Sequence, residues 1–503
     1  MRKQYKKKMN GRIVALWLGL CLLLTGCTGG GQELPYTMGN TRSESVREDV
    51  EATPEPTITP INSTTGEISE EVWTALAEAE LAKELEEKGY AEAVANKDLR
   101  EHITLGIYYN FAKTSLRSTV GNFNVFQDKY WLDIKEYDSY SNVLMDIMRG
   151  TGADIFYLKN MPFELFADKG VLEDLNPYFE ESEVISKEQI FSSIWRAGSV
   201  DEKYVGVIPG FNPVMYLVEK GVAENGAWTL DDYFALGDKY PFGKLEQYVQ
   251  DPSYYFANFL PSALESFVDW EEMSCNFDSD AFCKLLSKIK DNAEKEYGSG
   301  EAGSIAAKLY EKEYLVRRIS LSTSFSPKMS NYVVLRDTFL KDFDLAGVPN
   351  NHNIPVYELN YNEMYGVNAN SENKQAAWAF IEYLLSKEYQ SNLDVSMFTV
   401  RTDLMEEMLD AEIEYVFECD YFTTNRFTGE KIKLNDLPGF TEEDKEQFLY
   451  IVENSYRNAM GDSEIFYIVR EEANSYFAGD KSLDEVVKLI QNRCALYLEE
   501  YKN

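Results

Sequence analysis

Apolar and polar positions first fall into register at Ile103, Leu105 and Ile107, which alternate with Thr104, Gly106 and Tyr108. A period of two predicts a strand with one face buried. A second strand is predicted over "WLDIKEY" (131–137) and a third over "DIFYL" (154–158), whose unbroken apolar run marks it as central. Between them Val143, Leu144, Ile147 and Met148 share one helical face over 139–149, and Gly150 stops the helix. Strand–helix–strand spacing of this kind predicts a parallel sheet with right-handed crossovers. A short helix follows, with Pro162 in its first turn and Gly170 past its last.

Beyond it, "KYVGVIP" (203–209) and "VMYLVEK" (214–220) read as strands on either side of Gly210. "WTLDDYFALGDKY" (228–240) opens a helix at Thr229, with Asp232 in the capping-box position. Residues 254–318 read as mostly helical, and "NYVVLRD" and "DLAGVP" as short strands. "YGVNA" (365–369) precedes a helix with Ala377, Phe380, Ile381, Leu384 and Leu385 on one face. The final third reads as helical. Its last helix carries a capping box, Ser482 and Glu485, and aligns Val486, Leu489, Ile490 and Cys494. No internal repeat is present. At 503 residues, 44% of them apolar, the chain is long enough for two or more lobes.

The N-terminus has a different pattern. Residues 1–12 hold six basic side chains and no acid, and an apolar run follows from Ile13 to Leu24. That run is short of the ~20 apolar residues of a spanning helix and reads as a secretory signal. Leu24-Thr25-Gly26-Cys27 resembles the lipobox of bacterial lipoproteins. The resemblance implies cleavage before Cys27, lipid on its thiol, and a chain held at the outer face of the cell membrane. Residues 27–67, rich in Gly, Thr, Glu and Pro, form a tether spanning ~35 Å as a coil. Residues 68–100 are a charged helical segment with a break at Gly89.

The net charge of −36, more negative once the basic leader is removed, argues against nucleic acid and anionic headgroups as partners. Of six cysteines, Cys275, Cys283, Cys419 and Cys494 remain after Cys21 and Cys27. An even number outside the cell permits disulfides, although buried free thiols are the reading adopted. No C-x-x-C suggests zinc, neither His102 nor His352 has a ligand-spaced partner, and there is no G-x-S-x-G or P-loop. No catalytic residue, metal or cofactor is expected.

Several segments, in order, resemble the extracellular solute-binding proteins, family 1, of ABC importers. These are "GADIFYL…FADKGVLEDLNPYF", "YVGVIPGFNPVMYLV", "WTLDDYFALG", "YGVNANSENKQAAWAFIEYLLSKEYQ", "SMFTVRTDL" and "FAGDKSLDEVVKLIQNRCALYLEE". The resemblance runs from about 103 to 498. Thr399 departs from the usual proline before Val400-Arg401, and 296–345 matches poorly. What the resemblance implies is an α/β, two-lobed, periplasmic-binding-protein-like clamshell of type II with a helix-rich C-terminus. Lobe 1 is expected at 101–212 and 346–398, and lobe 2 at 213–345 and 399–503. It also implies a monomeric, non-enzymatic receptor that passes a small solute, an oligosaccharide, to permease subunits in the membrane. A scaffold or adhesin that kept the fold is the rival reading, and a glycan-active enzyme a third.

A sugar cleft needs flat aromatics and paired hydrogen-bonding side chains. Tyr108, Tyr109, Asn110 and Phe111 end the first strand and are the first candidates; the plain alternative is a strand end packed under a helix. Asp138 fits either a ligand contact or the N-cap of the next helix. Lys159 and Asn160 follow the third strand. Phe211 and Asn212 lie in the expected hinge, where a turn made by Gly210 and Pro213 is the alternative. Trp270 is a stacking platform or a packing residue. Tyr361, Asn362 and Tyr365 precede a hinge strand, and Arg401 faces the cleft or pairs with a carboxylate.

Overall fold

A computed structural model describes residues 89–501 except 109–112, 160, 162, 224, 240–263, 270–271, 294–315, 324–328, 351–352, 394–396, 416–421, 425–430, 434–437 and 458–463. The leader, Cys27, the tether and most of the helical segment lie outside the described residues, as do Cys419 and His352.

After α1 (Tyr90–Ala95), which starts just past Gly89 at φ 89°, the first sheet is built as its pattern predicts. Its elements are β1 (Glu101–Ile107), α2 (Lys113–Phe126), β2 (Tyr130–Glu136), α3 (Tyr140–Arg149) and β3 (Ile155–Tyr157). β1 runs parallel to β2 on one side and to β3 on the other. Ser139 caps α3 by accepting from the Asn142 amide, and Gly150 ends it in the left-handed region that favours glycine. Met148 departs from the expected face: it is 86% exposed, and Val143 carries the buried stripe. Next come α4 (Phe163–Asp168), α5 (Asn176–Glu181) and α6 (Ser192–Ala197), then a hairpin of β4 (Ser199–Val200) and β5 (Lys203–Tyr204).

Strand is found in both segments, β5 ending at Tyr204 and β6 (Gly210–Glu219) beginning at Gly210 itself and running straight through Pro213, so no turn forms at Phe211 and Asn212. β6 is the backbone of the second sheet. α7 (Leu230–Lys239) has the predicted cap, with Asp232 accepting from the Thr229 amide and hydroxyl at 2.8 and 2.7 Å. The stretch expected to be mostly helical contains a hairpin, β7 (Val268–Asp269) with β8 (Ser274–Cys275), then α8 (Asp280–Ala293) and β9 (Val316–Ser320). "NYVVLRD" is helix, not strand: α9 (Ser330–Phe339) buries Tyr332, Val333, Val334, Leu335 and Phe339. Burial around most of the circumference overrides the strand preference of its β-branched residues. β10 (Phe343–Ala346) falls where "DLAGVP" predicts it.

β11 (Tyr357–Asn360) still pairs with β6, and only β12 (Tyr365–Val367) returns to the first sheet, antiparallel to β3. The chain therefore crosses between sheets at 360–365, later than the 345/346 boundary read from the sequence. α10 (Lys374–Leu385) and α11 (Lys387–Ser391) follow on the first sheet's side, and β13 (Phe398–Thr399) pairs with the start of β6. Then come α12 (Thr402–Ile413), a hairpin of β14 (Phe422–Thr424) and β15 (Lys431–Lys433), and α13 (Glu442–Glu453). β16 (Ser455–Arg457), α14 (Glu464–Phe477) and α15 (Leu483–Tyr501) complete the chain. β14, β15 and β16 are strands in a stretch that reads as helical. Leu489 is 37% exposed, while Val486, Ile490 and Cys494 are buried as expected.

The first sheet has the order β12-β3-β1-β2, and the second is β10-β6-β11-β16 with β9 and β13 also on β6. β6 divides the core by its period of two. Phe211, Met215 and Leu217 point into one apolar cluster, which continues to the first sheet; Tyr216 and Val218 point into another, under α7, α8, α14 and α15. Cys275 and Cys283 are free thiols packed against that second cluster, and Cys494 is buried in it.

Asp154 explains why an Asp-Ile pair begins β3. Its carboxylate accepts from the Thr104 amide (2.8 Å) and hydroxyl (2.9 Å), the Ser371 hydroxyl (2.6 Å) and the Asn373 side-chain amide (3.2 Å). One side chain ties β1 to the loop that launches α10. Asp154→Ala strands these donors and is expected to lower stability by about 2–3 kcal/mol, read as a shift in urea midpoint at constant slope.

Candidate functional site

β1 is followed by β2 on one side and β3 on the other, so the carboxyl ends of β1 and β3 flank the point where strand order reverses. In open α/β sheets the crevice at that point is where ligands bind. The side chains there are Tyr108 after β1, Lys159 after β3, and those of 361–365, which enter β12 at the same edge.

Tyr361, Glu363 and Tyr365 are all buried along the bent segment that leads into β12. Tyr361 is buried, and the Lys159 ammonium lies 4.3 Å from its ring centroid. Glu363 is buried and accepts from the Tyr365 hydroxyl at 2.8 Å. Burial, with Glu363 beside it, holds that hydroxyl well above the usual phenol range. The Tyr157 hydroxyl, also pushed up by burial and then by Glu363, donates to the Asn362 carbonyl at 2.8 Å. The Tyr157 and Tyr365 rings meet edge to face at 5.7 Å. Asn362 is exposed, and its amide lies 3.5 Å from the Met397 sulfur. The edge thus presents Lys159 and Asn362 above a buried floor of tyrosines and one carboxylate, with Tyr108 at the end of the neighbouring strand β1.

The structure sorts the residues singled out from the sequence. Half-buried Lys159 and exposed Asn362 come together at this edge, with Tyr361 and Tyr365 in its floor, and half-buried Tyr108 ends the neighbouring strand β1. Tyr365 is 0% exposed, so it supports the edge from beneath instead of forming its surface. Phe211 is likewise 0% exposed, packed between Phe191 and Phe398, because β6 turns it into the core. Asn212 is half-buried opposite Asn360, and its Oδ1 has no hydrogen-bond partner among the described residues. Asp138 is exposed, and Ser139 takes the capping role considered for it. Arg401 faces no cleft: it is buried and doubly bonded to Asp403 at 2.9 and 2.9 Å. Tyr109, Asn110, Phe111, Asn160 and Trp270 lie outside the described residues. Tyr157 and Glu363 were missed. Tyr157 sits inside an apolar run that reads as core, and Glu363 shows only as the middle of a Tyr-x-Glu-x-Tyr alternation.

Two sheets joined by crossing segments, with helices on their faces and a polar edge at the switch point, define a periplasmic-binding-protein-like α/β protein. Residues 134–404 match the bacterial extracellular solute-binding proteins, and the chain belongs to that family, one of receptors and not of enzymes. No curated protein sequence matches it. Among solved structures it is similar to the ABC substrate-binding protein Lmo0181 from Listeria monocytogenes, solved with cycloalternan. Identity there is 15%, over 80% of this chain and 99% of that one, with a TM-score of 0.48. It is also similar to the sugar-binding protein MalE from Xanthomonas citri, at 13% identity over 80% of this chain and 98% of that one, TM-score 0.49. An Agrobacterium radiobacter K84 solute-binding protein in complex with ribitol is 15% identical over 79% and 98%, TM-score 0.48. Among the described residues no helix is long and apolar enough to cross a membrane.

Proposed function

We propose that this chain is a lipid-anchored receptor that holds an oligosaccharide between two lobes and delivers it to the permease of an ABC importer. The lobes lie on either side of the crossings at 207–210, 360–365 and 391–398, and ligand bridges them when they close. The observation that supports this best is the edge at the switch point. It offers an ammonium, an amide and a tyrosine on a floor that packing keeps from moving, which suits neutral hydroxyl-bearing ligands. Tyr109, Asn110, Phe111, Asn160, Asn212 and Trp270 stay candidates for further contacts. Cys27 carries the lipid, with the tether holding the body clear of the headgroups.

Calorimetric titration of the mature chain, with Cys27 replaced by Ser, against a panel of oligosaccharides is expected to give saturable heat for at least one. No heat across the panel, with the chain folded, favours the scaffold, and turnover of a glycan favours an enzyme. For a ligand that binds, Lys159→Ala and Asn362→Ala are each expected to weaken affinity about tenfold or more, the equivalent of one lost charged or bidentate hydrogen bond. Unchanged affinity in both moves the site away from this edge. In cells, Cys27→Ser is expected to abolish incorporation of labelled fatty acid and release the chain from the membrane.

A further inference from the structure

We infer that Asn212 and Asn360 form a second polar contact for the same solute, an amide pair that meets adjacent ligand hydroxyls at the end of the second sheet; this rests on the receptor reading. β9, β10 and β11 all run antiparallel to β6, and β16 runs parallel to β11. These four strands therefore point their carboxyl ends toward the start of β6, with β9 on one side of it and β10 and β11 on the other. Carboxyl ends of strands are where open α/β sheets bind ligands. β11 ends at Asn360, directly opposite Asn212 of β6.

The sheet face that bears these two residues changes character along its length. Tyr216 and Val218 carry it into the second core. Toward the start of β6 it turns polar. Arg318 of β9 pairs with Glu358 of β11 at 2.8 Å, Ser320 is exposed, and Asn212 and Asn360 are half-buried as a cross-strand pair. The Oδ1 of Asn212 is buried with no donor among the described residues, and Pro213 beside it has no N–H to offer. A buried acceptor without a donor costs stability, so its presence asks for a donor that the fold does not supply. A sugar hydroxyl is such a donor, and Asn360 is placed across the strand pair for the neighbouring hydroxyl. The last torsion of asparagine is broad, so the oxygen turns outward as the hydroxyl arrives. Asn362 follows two residues after Asn360, no more than ~7 Å along the chain, so this contact continues the edge made by Lys159 and Asn362. Two amides, which both donate and accept, suit a neutral polyhydroxylated ligand better than an ionic one.

A residue kept for a ligand trades stability for binding, which a packing residue does not. Asn212→Leu is nearly isosteric and removes the stranded acceptor. In the mature chain with Cys27 replaced by Ser, it is expected to raise the urea midpoint at constant slope. It is also expected to bind the tightest sugar of the calorimetric panel about tenfold or more weakly. Asn360→Ala is expected to lose affinity similarly, and Asn212→Asp, which keeps an acceptor of the same shape, to retain most of it. Monodeoxy derivatives of that sugar locate the contact: at one position, the loss on removing the hydroxyl is expected to vanish in Asn212→Leu. If Asn212→Leu does not fold, Asn212→Ala replaces it in the binding measurements. A lowered or unchanged midpoint in folded Asn212→Leu overturns the pair as a ligand contact, because the amide then has a structural role. Unchanged affinity in both Asn212→Leu and Asn360→Ala overturns it as well, and the receptor reading then stands on Lys159 and Asn362. If no sugar binds the unsubstituted chain, the receptor reading fails and this contact falls with it.

Discussion

Asp403→Asn is expected to destabilise the fold by about 3 kcal/mol, because it leaves a buried guanidinium without its counter-charge. Arg401 is 1% exposed. Its Nε and Nη2 each donate to an Asp403 carboxylate oxygen, and Nη1 reaches the carbonyls of Leu385 and Val184 at 3.0 and 3.3 Å. An amide accepts through one oxygen only and carries no charge. The expected cost lies at the low end of the range for broken buried pairs because Asp403 is itself about a quarter exposed and also serves Lys387 at 3.0 Å. The Arg401 hydrogen bonds, followed by those from Lys387, hold the Asp403 carboxyl well below the usual carboxylate range. A folded-state pKa below the unfolded value near 3.9 means that the pair's stabilisation is present above about pH 5 and lost progressively as pH falls through 4 and below. Urea midpoints for parent and variant are therefore expected to differ most at neutral pH and to converge on acidification. A constant gap from pH 7 to pH 3 contradicts this account of the pair.

Trp228→Ala is expected to cost about 4 kcal/mol and to act on the second core specifically. Trp228 is 1% exposed, packs against Tyr216 of β6 and Tyr233 of α7, and donates through its indole N–H to the Gly347 carbonyl at 2.7 Å. Truncation opens a cavity between sheet and helix and strands a buried carbonyl. Hydrogen exchange is the discriminating readout. Protection is expected to fall in α7, α8 and β10 and to hold in β1, β2 and α10, which belong to the other cluster. Uniform loss of protection throughout indicates a single cooperative core instead.

The first sheet was legible because it is built from local rules. Ile103, Leu105 and Ile107 alternate, Ser139 and Gly150 bracket α3, and the apolar β3 lies between two neighbours as its composition requires. The second sheet was less so. Its strands are two to ten residues long and come from distant segments that gather around β6, β16 through β11, so no local period announces them. "NYVVLRD" has strand composition and became helix because tertiary burial on most sides outweighed propensity. At the site, exposure was the quantity composition could not supply. Tyr361, Tyr365, Phe211 and Arg401 have the right chemistry for a cleft, yet the chain spends them on the core and on ion pairing. Glu363 was passed over because one carboxylate among 85 acidic residues has no sequence signature; only its burial beside Tyr365 sets it apart.

The most direct test of the account is small-angle scattering of the mature chain, with and without each member of an oligosaccharide panel at saturating concentration. A smaller radius of gyration with at least one sugar, reversed when the sugar is dialysed away, is the predicted result. A profile that no sugar changes, in a chain whose dichroism and cooperative unfolding show it to be folded, contradicts it.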